Sequence, residues 1–307
     1  MDEKNKGLER YAQAVSCLPP RLMHLARGLP DAARQAAEEV RLRAGGALRW
    51  CACGREHEVA GEPIRAEELR DTLARASRWS VHTYEDPIRQ GYLPLAGGHR
   101  LGVCGTVALE DGQPAGLRTV SSLCLRIARA VPGAAAGCLS ELMDGGSVRG
   151  TLILSPPGGG KTTFLRDLIR LLSERGVRVA VADERGEIAA MRGGVPQFDL
   201  GPACDVLDGC PKAIGAMQLV RTMGPQAVAM DEITDPADLA AVQNAAGCGV
   251  AVLATIHARD EAELGRKPLF RALCRTGAFS RLVVLSVDAD GRHSRVGAME
   301  GGGGPCC

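Results

Sequence analysis

The sequence predicts an α/β protein with a parallel β-sheet in its second half and a smaller mixed α/β domain before it. After residue 150, apolar runs of strand length alternate with segments of helical periodicity. A glycine-rich loop joins the first of these strands to a helix, and shorter alternating runs with glycine turns precede it. We therefore expect an N-terminal domain over residues 1–145, a second domain over 146–298 and a disordered tail over 299–307.

The composition is that of a globular chain long enough for two domains. Its 307 residues are 45% hydrophobic and 3% aromatic, which predicts a packed aliphatic core. Lys and Arg number 37 and Asp and Glu 36, so bulk charge does not predict attraction to nucleic acid. The charged N-terminus lacks an apolar signal segment, and no run reaches the ~20 apolar residues of a membrane span. These features predict a soluble, cytoplasmic protein.

The cysteines predict reduced thiols. Twelve in a chain of this length are too few for a disulfide scaffold, and none form a C-x-x-C pair. Cys51, Cys53 and His57 could be imagined as metal ligands. Because no second ligand pair follows at zinc-site spacing, a metal there is only a minor alternative.

The N-terminal region begins with short helices and continues as strands. Residues 1–43 predict short helices separated by proline-containing breaks, followed by a strand over Val40–Arg43. Leu69 and Leu73, four residues apart, predict an amphipathic helix over Ala66–Ser77.

The stretch from Gln90 to Arg129 alternates apolar residues with glycine turns, which predicts β-structure. Its arginines are either surface residues of one strand face, or one or more of them point at a phosphate across an interface. They are Arg100, Arg118, Arg126 and Arg129. The Gly- and Ala-rich segment Val131–Gly150 is the expected linker into the second domain.

The strongest chemical signal lies between Thr151 and Leu172. An apolar run, Thr151–Leu154, leads into a Pro/Gly loop and then into a helical pattern. Glycines let backbone N–H groups point at phosphate, a lysine binds the β- and γ-phosphates, and a hydroxyl binds Mg²⁺. The helix N-terminus also favours an anion. The residues expected to bind ATP are Pro157, Gly158, Gly159, Gly160, Lys161, Thr162 and Thr163.

One residue departs from the phosphate-loop pattern. G-x-x-x-x-G-K-[ST] has glycine where this chain has Ser155. The alternative interpretation is a flexible Gly/Pro linker. The strand before the loop and the helix after it favour the phosphate site.

Charged residues follow the later apolar runs, where ligands collect in open parallel sheets. Asp231 follows Ala227–Met230 in Walker B placement and would hold Mg²⁺, while Glu232 would polarise the attacking water. The alternative is an acidic turn after a strand. The other apolar runs predicted as strands are Val177–Ala182, Gly249–Ile256 and Leu282–Val287.

Four further residues have two interpretations each. Glu184 and Glu187 could position the same water or form a salt-bridged loop. His257 ends a core strand and could sense the γ-phosphate, although a lone histidine is more often structural. Thr255 could contact water or phosphate, or pack in the core.

Five motifs resemble those of the type II/IV secretion ATPases, an AAA+/RecA-like superfamily. In chain order they are GGHRLGVCG, SPPGGGKTT, ADERGEIAA, TMGPQAVAMDEI and ATIHA. Within it, they are most similar to the stage III sporulation protein AA family of endospore-forming bacteria. The resemblance runs from about Val40 to Val287 and includes VRLRAG, YEDPIRQGY and LRIARAV.

The resemblance implies a P-loop NTPase (RecA-like) sheet over residues 146–298 and a Mg²⁺-dependent ATPase that assembles as a homo-oligomer, a hexameric ring. An N-terminal-domain arginine would reach a neighbour's nucleotide, with Arg100, Arg118 and Arg126 as candidates. The remaining roles are Lys161 and Thr162 as Walker A, Asp231 and Glu232 as Walker B, Thr162 and Asp231 as the metal site, Glu184 as the acidic-box carboxylate and His257 as the His box.

The implied role is a ring motor in the mother-cell cytoplasm, docked on membrane-embedded proteins of the stage III sporulation A complex. ATP hydrolysis would energise assembly of, or transport through, a channel from mother cell to forespore. Two alternatives are a nucleic-acid-associated P-loop ATPase and a nucleotide-dependent assembly scaffold. Balanced charge and few aromatics disfavour the first, and the presence of Lys161, Asp231 and Glu232 disfavours the second.

Overall fold

The computed structural model describes residues 3–77, 92–110, 113–288 and 291–299. The chain divides into two compact units at Arg129/Ala130. Most of the YEDPIRQGY motif lies outside the described residues, and of the tail expected over 299–307 only Met299, which is buried, is described.

The segment expected to be a linker belongs to the second unit. Ala135, Leu139 and Leu142 are buried in its core, and the Ala135 N–H donates to the buried carboxylate of Asp167 at 2.9 Å. The domain boundary at 145/146 proposed from the sequence therefore falls inside the second unit. The Gly and Ala content predicted a linker there, but the apolar residues between the glycines pack into the core.

The first unit is an antiparallel sheet with helices, in the strand order β3-β2-β1-β6-β5-β4. The strands are β1 (Glu39–Arg43), β2 (Arg49–Ala52), β3 (Arg55–Glu58), β4 (Tyr92–Pro94), β5 (Arg100–Glu110) and β6 (Gln113–Arg126). The helices are α1 (Glu3–Val15), α2 (Pro20–Arg27), α3 (Asp31–Ala36) and α4 (Ala66–Ala76), with a 3₁₀ turn at Ala96–Gly98. The predicted mixed α/β character of the N-terminal region is confirmed.

The GGHRLGVCG motif has a structural explanation in this unit. Gly97 has a φ of 76°, a left-handed conformation that suits glycine. A methyl group on Gly105 would overlap the Thr119 carbonyl oxygen across the β5–β6 pair, next to a register shift. His99 is 1% exposed, and its Nδ1 accepts the Ala128 N–H at 3.0 Å.

The second unit contains a seven-stranded sheet in the order β11-β10-β12-β13-β9-β14-β15, parallel except for the last pair. Its strands are β9 (Thr151–Ser155), β10 (Val179–Asp183), β11 (Cys204–Asp208), β12 (Ala227–Met230), β13 (Ala251–His257), β14 (Arg281–Asp288) and β15 (Gly291–Ala298), with a separate hairpin of β7 (Met143–Asp144) and β8 (Ser147–Val148). Its helices are α5 (Leu139–Leu142), α6 (Lys161–Glu174), α7 (Lys212–Met223), α8 (Pro236–Gly247), α9 (Glu261–Arg266) and α10 (Pro268–Thr276), with a 3₁₀ turn at Ala136–Cys138.

Helices cover both faces of this sheet. Alternate residues of the central strands pack on α6 and α5 on one face and on α7, α8, α9 and α10 on the other. Because both faces are buried, the strands are continuous apolar runs, which is why the sequence located them. The strands it missed include β3, β11 and β15, which lie at sheet edges where polar residues are tolerated.

In the part of the chain that the structure describes, every helix is too short or too polar to cross a bilayer.

We expect the stability of the first unit to fall in acid because of His99. Burial, aided by the charge of Arg10, lowers the pKa of His99 from 6.5 to about 4. Protonation would also place a proton on the Nδ1 that accepts from Ala128. Between pH 6.5 and 4 the unfolded state binds a proton that the folded state does not, so unfolding should become easier by roughly 3 kcal/mol over that window.

The measurement is urea unfolding at several pH values. Trp50 lies on β2 of the first unit, so its fluorescence reports on that unit. His99→Gln should reduce the pH dependence of the unfolding free energy between pH 6.5 and 4, whatever its effect at pH 7. His24→Gln, at an exposed position of α2, is the control and should keep the wild-type slope. If the unfolding free energy of H99Q depended on pH as steeply as that of the wild type, His99 would not be the cause of the acid sensitivity.

Candidate nucleotide-binding site

The loop between β9 and α6 has the geometry of a phosphate loop. Gly158 and Gly160 have φ values of 76° and 92°, in the left-handed region. A methyl group on Gly159 would lie 2.6 Å from Ser155 Oγ and 3.1 Å from the Pro156 carbonyl oxygen. All three glycines are therefore required by the local backbone or by its neighbours.

Ser155 fits where the general pattern has glycine. Among the described residues only Cys53 and Ala190 are non-glycine positions with positive φ, so Ser155 is unstrained at the end of β9. Its Oγ donates to the Pro156 carbonyl at 2.9 Å. The serine side chain occupies the space beside Gly159, so the departure from the pattern is compatible with the loop.

Lys161 is the first residue of α6 and lies among acidic side chains. It is 7% exposed, and its Nζ lies 2.7 Å from His257 Nδ1. Burial lowers the pKa of Lys161, while the negative charges of Glu232, Asp231 and Glu187 oppose that shift. An ammonium can only donate, so the His257 ring accepts from Lys161.

Asp231 and Glu232 follow β12 and lie beside the start of α6. The Thr162 hydroxyl donates to Asp231 Oδ2 at 3.4 Å. The buried Thr255 hydroxyl donates to Asp231 Oδ1 at 2.8 Å and accepts the Glu232 N–H at 3.0 Å. Thr255 thus orients the Asp231 carboxylate with its second oxygen toward Thr162.

His257 connects the lysine to the second acidic residue. Its Nε2 lies 3.5 Å from Glu232 Oε1. The pairing of β13 with both β12 and β9 brings Lys161, Glu232 and His257 to one edge of the sheet. The Walker A, Walker B and His-box candidates of the sequence therefore meet in one place.

The loop after β10 is held rigidly by two buried groups that the sequence analysis did not single out. The Asp183 carboxylate accepts three backbone N–H bonds of 2.8 to 3.1 Å from residues 187–189. Arg166 of α6 donates to the carbonyls of Glu187 and Ile188, both at 2.8 Å, and lies 3.5 Å over the Phe198 ring. Helix α6 therefore fixes the acidic loop beside the site.

The two glutamates of this loop have different surroundings. Glu184 accepts the Lys212 N–H at 3.3 Å and lies 3.7 Å from Lys212 Nζ, so it packs on the start of α7. Glu187 is the loop glutamate whose charge acts on Lys161. The geometry thus favours the salt-bridged interpretation for Glu184, whereas the charge of Glu187 acts on Lys161.

Lys267 is a site residue that sequence reasoning missed. Its Nζ donates to the His257 carbonyl oxygen, and its positive charge lowers the pKa of Lys161. It lies at the start of α10, before Pro268, where a lysine carries no recognisable motif. Only the fold shows that this position lies beside the end of β13.

The arginine candidates lie in the first unit and differ in their partners. Arg126 pairs with Glu39 at 3.2 Å, and the Arg100 guanidinium lies 5.3 Å from the Tyr92 ring centre. Arg129 donates to the Ala37 carbonyl at 2.6 Å, which identifies it as a structural residue. Arg118 is exposed on β6.

The donor set at the loop fits magnesium held chiefly by phosphates and water. Thr162 and Asp231 offer one hydroxyl and one carboxylate, which matches the sparse protein ligation typical of Mg²⁺. In the described parts of the chain no group of three or more His, Cys, Asp or Glu could hold a metal ion. The ring of His57, the minor metal candidate, stacks on Trp50 at 4.3 Å.

Comparison with known structures shows the fold. The ATPase DotB of Legionella pneumophila superposes with a TM-score of 0.61 at 18% identity, over 90% of this chain and 80% of that one. The pilus retraction motor PilT with bound ADP superposes with a TM-score of 0.52 at 14% identity, over 86% of this chain and 80% of that one. The predicted fold class is confirmed: an α/β fold with a mostly parallel sheet like that of the secretion ATPases, plus an N-terminal domain with an antiparallel sheet.

Comparison with known sequences shows the family. The family model described as sporulation stage III, protein AA, matches residues 18–301. Stage III sporulation protein AA of Bacillus subtilis (strain 168) is 36% identical over 285 residues, which cover 89% of this chain and 90% of the relative. The chain therefore belongs to the stage III sporulation protein AA family.

Proposed function

We propose that the protein is a Mg²⁺-dependent ATPase of the secretion-motor type. The observation that carries this proposal is the meeting of Lys161, Thr162, Asp231, Glu232 and His257 at the carboxyl edge of the sheet, next to a glycine loop. The structural neighbours, an ATPase and a pilus retraction motor bound to ADP, support the same activity.

Each site residue has a role in this chemistry. The loop over residues 157–163 would enclose the phosphates, with Lys161 on the β- and γ-phosphates. Thr162 and Asp231 would hold Mg²⁺, which neutralises phosphate charge when bound. Glu232 would orient the attacking water and take its proton, and His257 would link Glu232 to Lys161. Glu187 is the acidic-loop residue proposed to assist, because its charge acts on Lys161 while Glu184 pairs with Lys212.

We propose further that the active form is a homo-oligomeric ring, a hexamer, in which an arginine of a neighbouring subunit completes the site. Arg118 and Arg126 are both exposed, and Arg118 is the preferred candidate because Arg126 already pairs with Glu39. Arg100, near Tyr92, is the third. A guanidinium supplied in trans stabilises the charge that develops during phosphoryl transfer.

The family assignment supports a role in spore formation. In this proposal the ring works in the mother-cell cytoplasm and docks on membrane-embedded proteins of the stage III sporulation A complex. Its ATP hydrolysis energises assembly of, or transport through, a channel between mother cell and forespore.

Lys161→Ala should weaken MgADP binding roughly 10- to 100-fold, because it removes a charge-assisted contact to phosphate. Isothermal titration calorimetry measures the affinity. Arg175→Ala, at the exposed far end of α6, is the matched control and should bind as the wild type does. Wild-type affinity in K161A would remove the loop from the proposed site.

Glu232→Gln should bind MgATP with near wild-type affinity but lower the hydrolysis rate by about 10²- to 10⁴-fold, since the amide cannot take a proton. Phosphate release in steady state measures the rate. Glu187→Gln should lower the hydrolysis rate less than Glu232→Gln does, and Glu184→Gln should lower it least. A rate loss confined to E184Q would move the base to Glu184, and a wild-type protein that binds without turnover would support the assembly-scaffold alternative.

The hydrolysis rate per subunit should rise with protein concentration as the ring assembles, because the trans arginine is available only there. ATPase assays paired with native mass spectrometry measure both. Arg118→Ala should assemble yet hydrolyse ATP slower by a factor on the order of 10³, whereas Arg55→Ala, exposed on β3, should match the wild type. Equal rates for monomer and ring would refute the trans arginine.

A further inference from the structure

The last hairpin of the second unit reaches the phosphate loop. Strand β14 pairs in parallel with β9, from Arg281 opposite Thr151 to Val284 opposite Leu154. Its carboxyl end therefore points to the same sheet edge as the end of β9, where the loop begins. Strand β15 returns from that edge, with Arg292 opposite Val287 near its start.

Arg292 lies directly against the loop. A methyl group on Gly160, the residue that precedes Lys161, would be 3.7 Å from both Cζ and Nη1 of Arg292, so the guanidinium lies beside that position. Arg292 is exposed, so its donors are open to a ligand. Within the described side chains no carboxylate pairs with it, whereas Arg295 on the same strand pairs with Glu261 at 2.8 Å.

Arg292 approaches the loop from the side opposite the acidic residues. In the sheet order, β12 and β13 lie on one side of β9 and carry Asp231, Glu232 and His257 at their ends. Strands β14 and β15 lie on the other side. A cation on that side would face the part of a bound nucleotide that lies away from the water proposed at Glu232, and that part is common to ADP and ATP.

We propose that Arg292 is a nucleotide-binding residue that acts within its own subunit, donating to α- or β-phosphate oxygens. This inference rests on the proposed function, because it requires the loop to bind nucleotide. The guanidinium suits the task, since its donors match phosphate oxygens and its charge is permanent. Unlike the trans arginine, it needs no neighbouring subunit.

The test is calorimetric titration of wild type, Arg292→Ala, Arg292→Lys and Arg295→Ala with MgADP and with a non-hydrolysable Mg·ATP analogue. R292A should weaken the binding of both ligands by about tenfold, and by the same factor for each. R292K should recover part of the loss, because it keeps the charge. R295A, on the same strand, should bind as the wild type does, and thermal melting should show that all four proteins are folded.

The outcomes separate this inference from the function on which it rests. A wild type that binds neither ligand refutes the nucleotide site itself. If the wild type binds and R292A binds equally well, only the Arg292 assignment fails. If R292A lost affinity for the ATP analogue alone, Arg292 would contact the γ-phosphate. If R292K and R292A lost affinity equally, the charge of Arg292 would not contribute to binding. Either result overturns the proposal.

Discussion

The parallel pairing of β9 with β13 is the constraint on which the candidate site depends. It sets Ser155, where the phosphate loop begins, level with His257, where β13 ends. Because β13 also pairs with β12, the acidic residues that follow β12 come to the same edge. Parallel strands align their carboxyl ends, so one sheet gathers residues that lie far apart in the chain. A shift in this register would separate Lys161 from His257.

Burial and charge act together at this edge. Lys161 is almost inaccessible, and an ammonium is costly to bury unless anions or acceptors surround it. Here a histidine nitrogen accepts from it, and Glu232, Asp231 and Glu187 oppose the pKa lowering caused by burial. A triphosphate with its magnesium would enter an environment already arranged for charge. Preorganisation of this kind reduces the free energy needed to order the site on binding.

Helix α6 links the chemistry to the core. Its first turn carries Lys161 and Thr162, and its buried face packs on the sheet. The same helix holds the acidic loop through Arg166 and the segment before β9 through Asp167. A change at the phosphate loop would therefore act on both segments, since they share one rigid element.

The sequence by itself determined the apolar strands, the glycine loop between β9 and α6 and the residues at the strand ends, because buried parallel strands and tight strand-to-helix loops require particular residue types at particular spacings. It could not determine that Glu184 packs on Lys212, that Lys267 lies beside His257 or that Arg292 lies against Gly160. Those placements come from the strand order and from helix packing. Such contacts join residues distant in sequence and leave no local periodicity, so only the tertiary structure decided them.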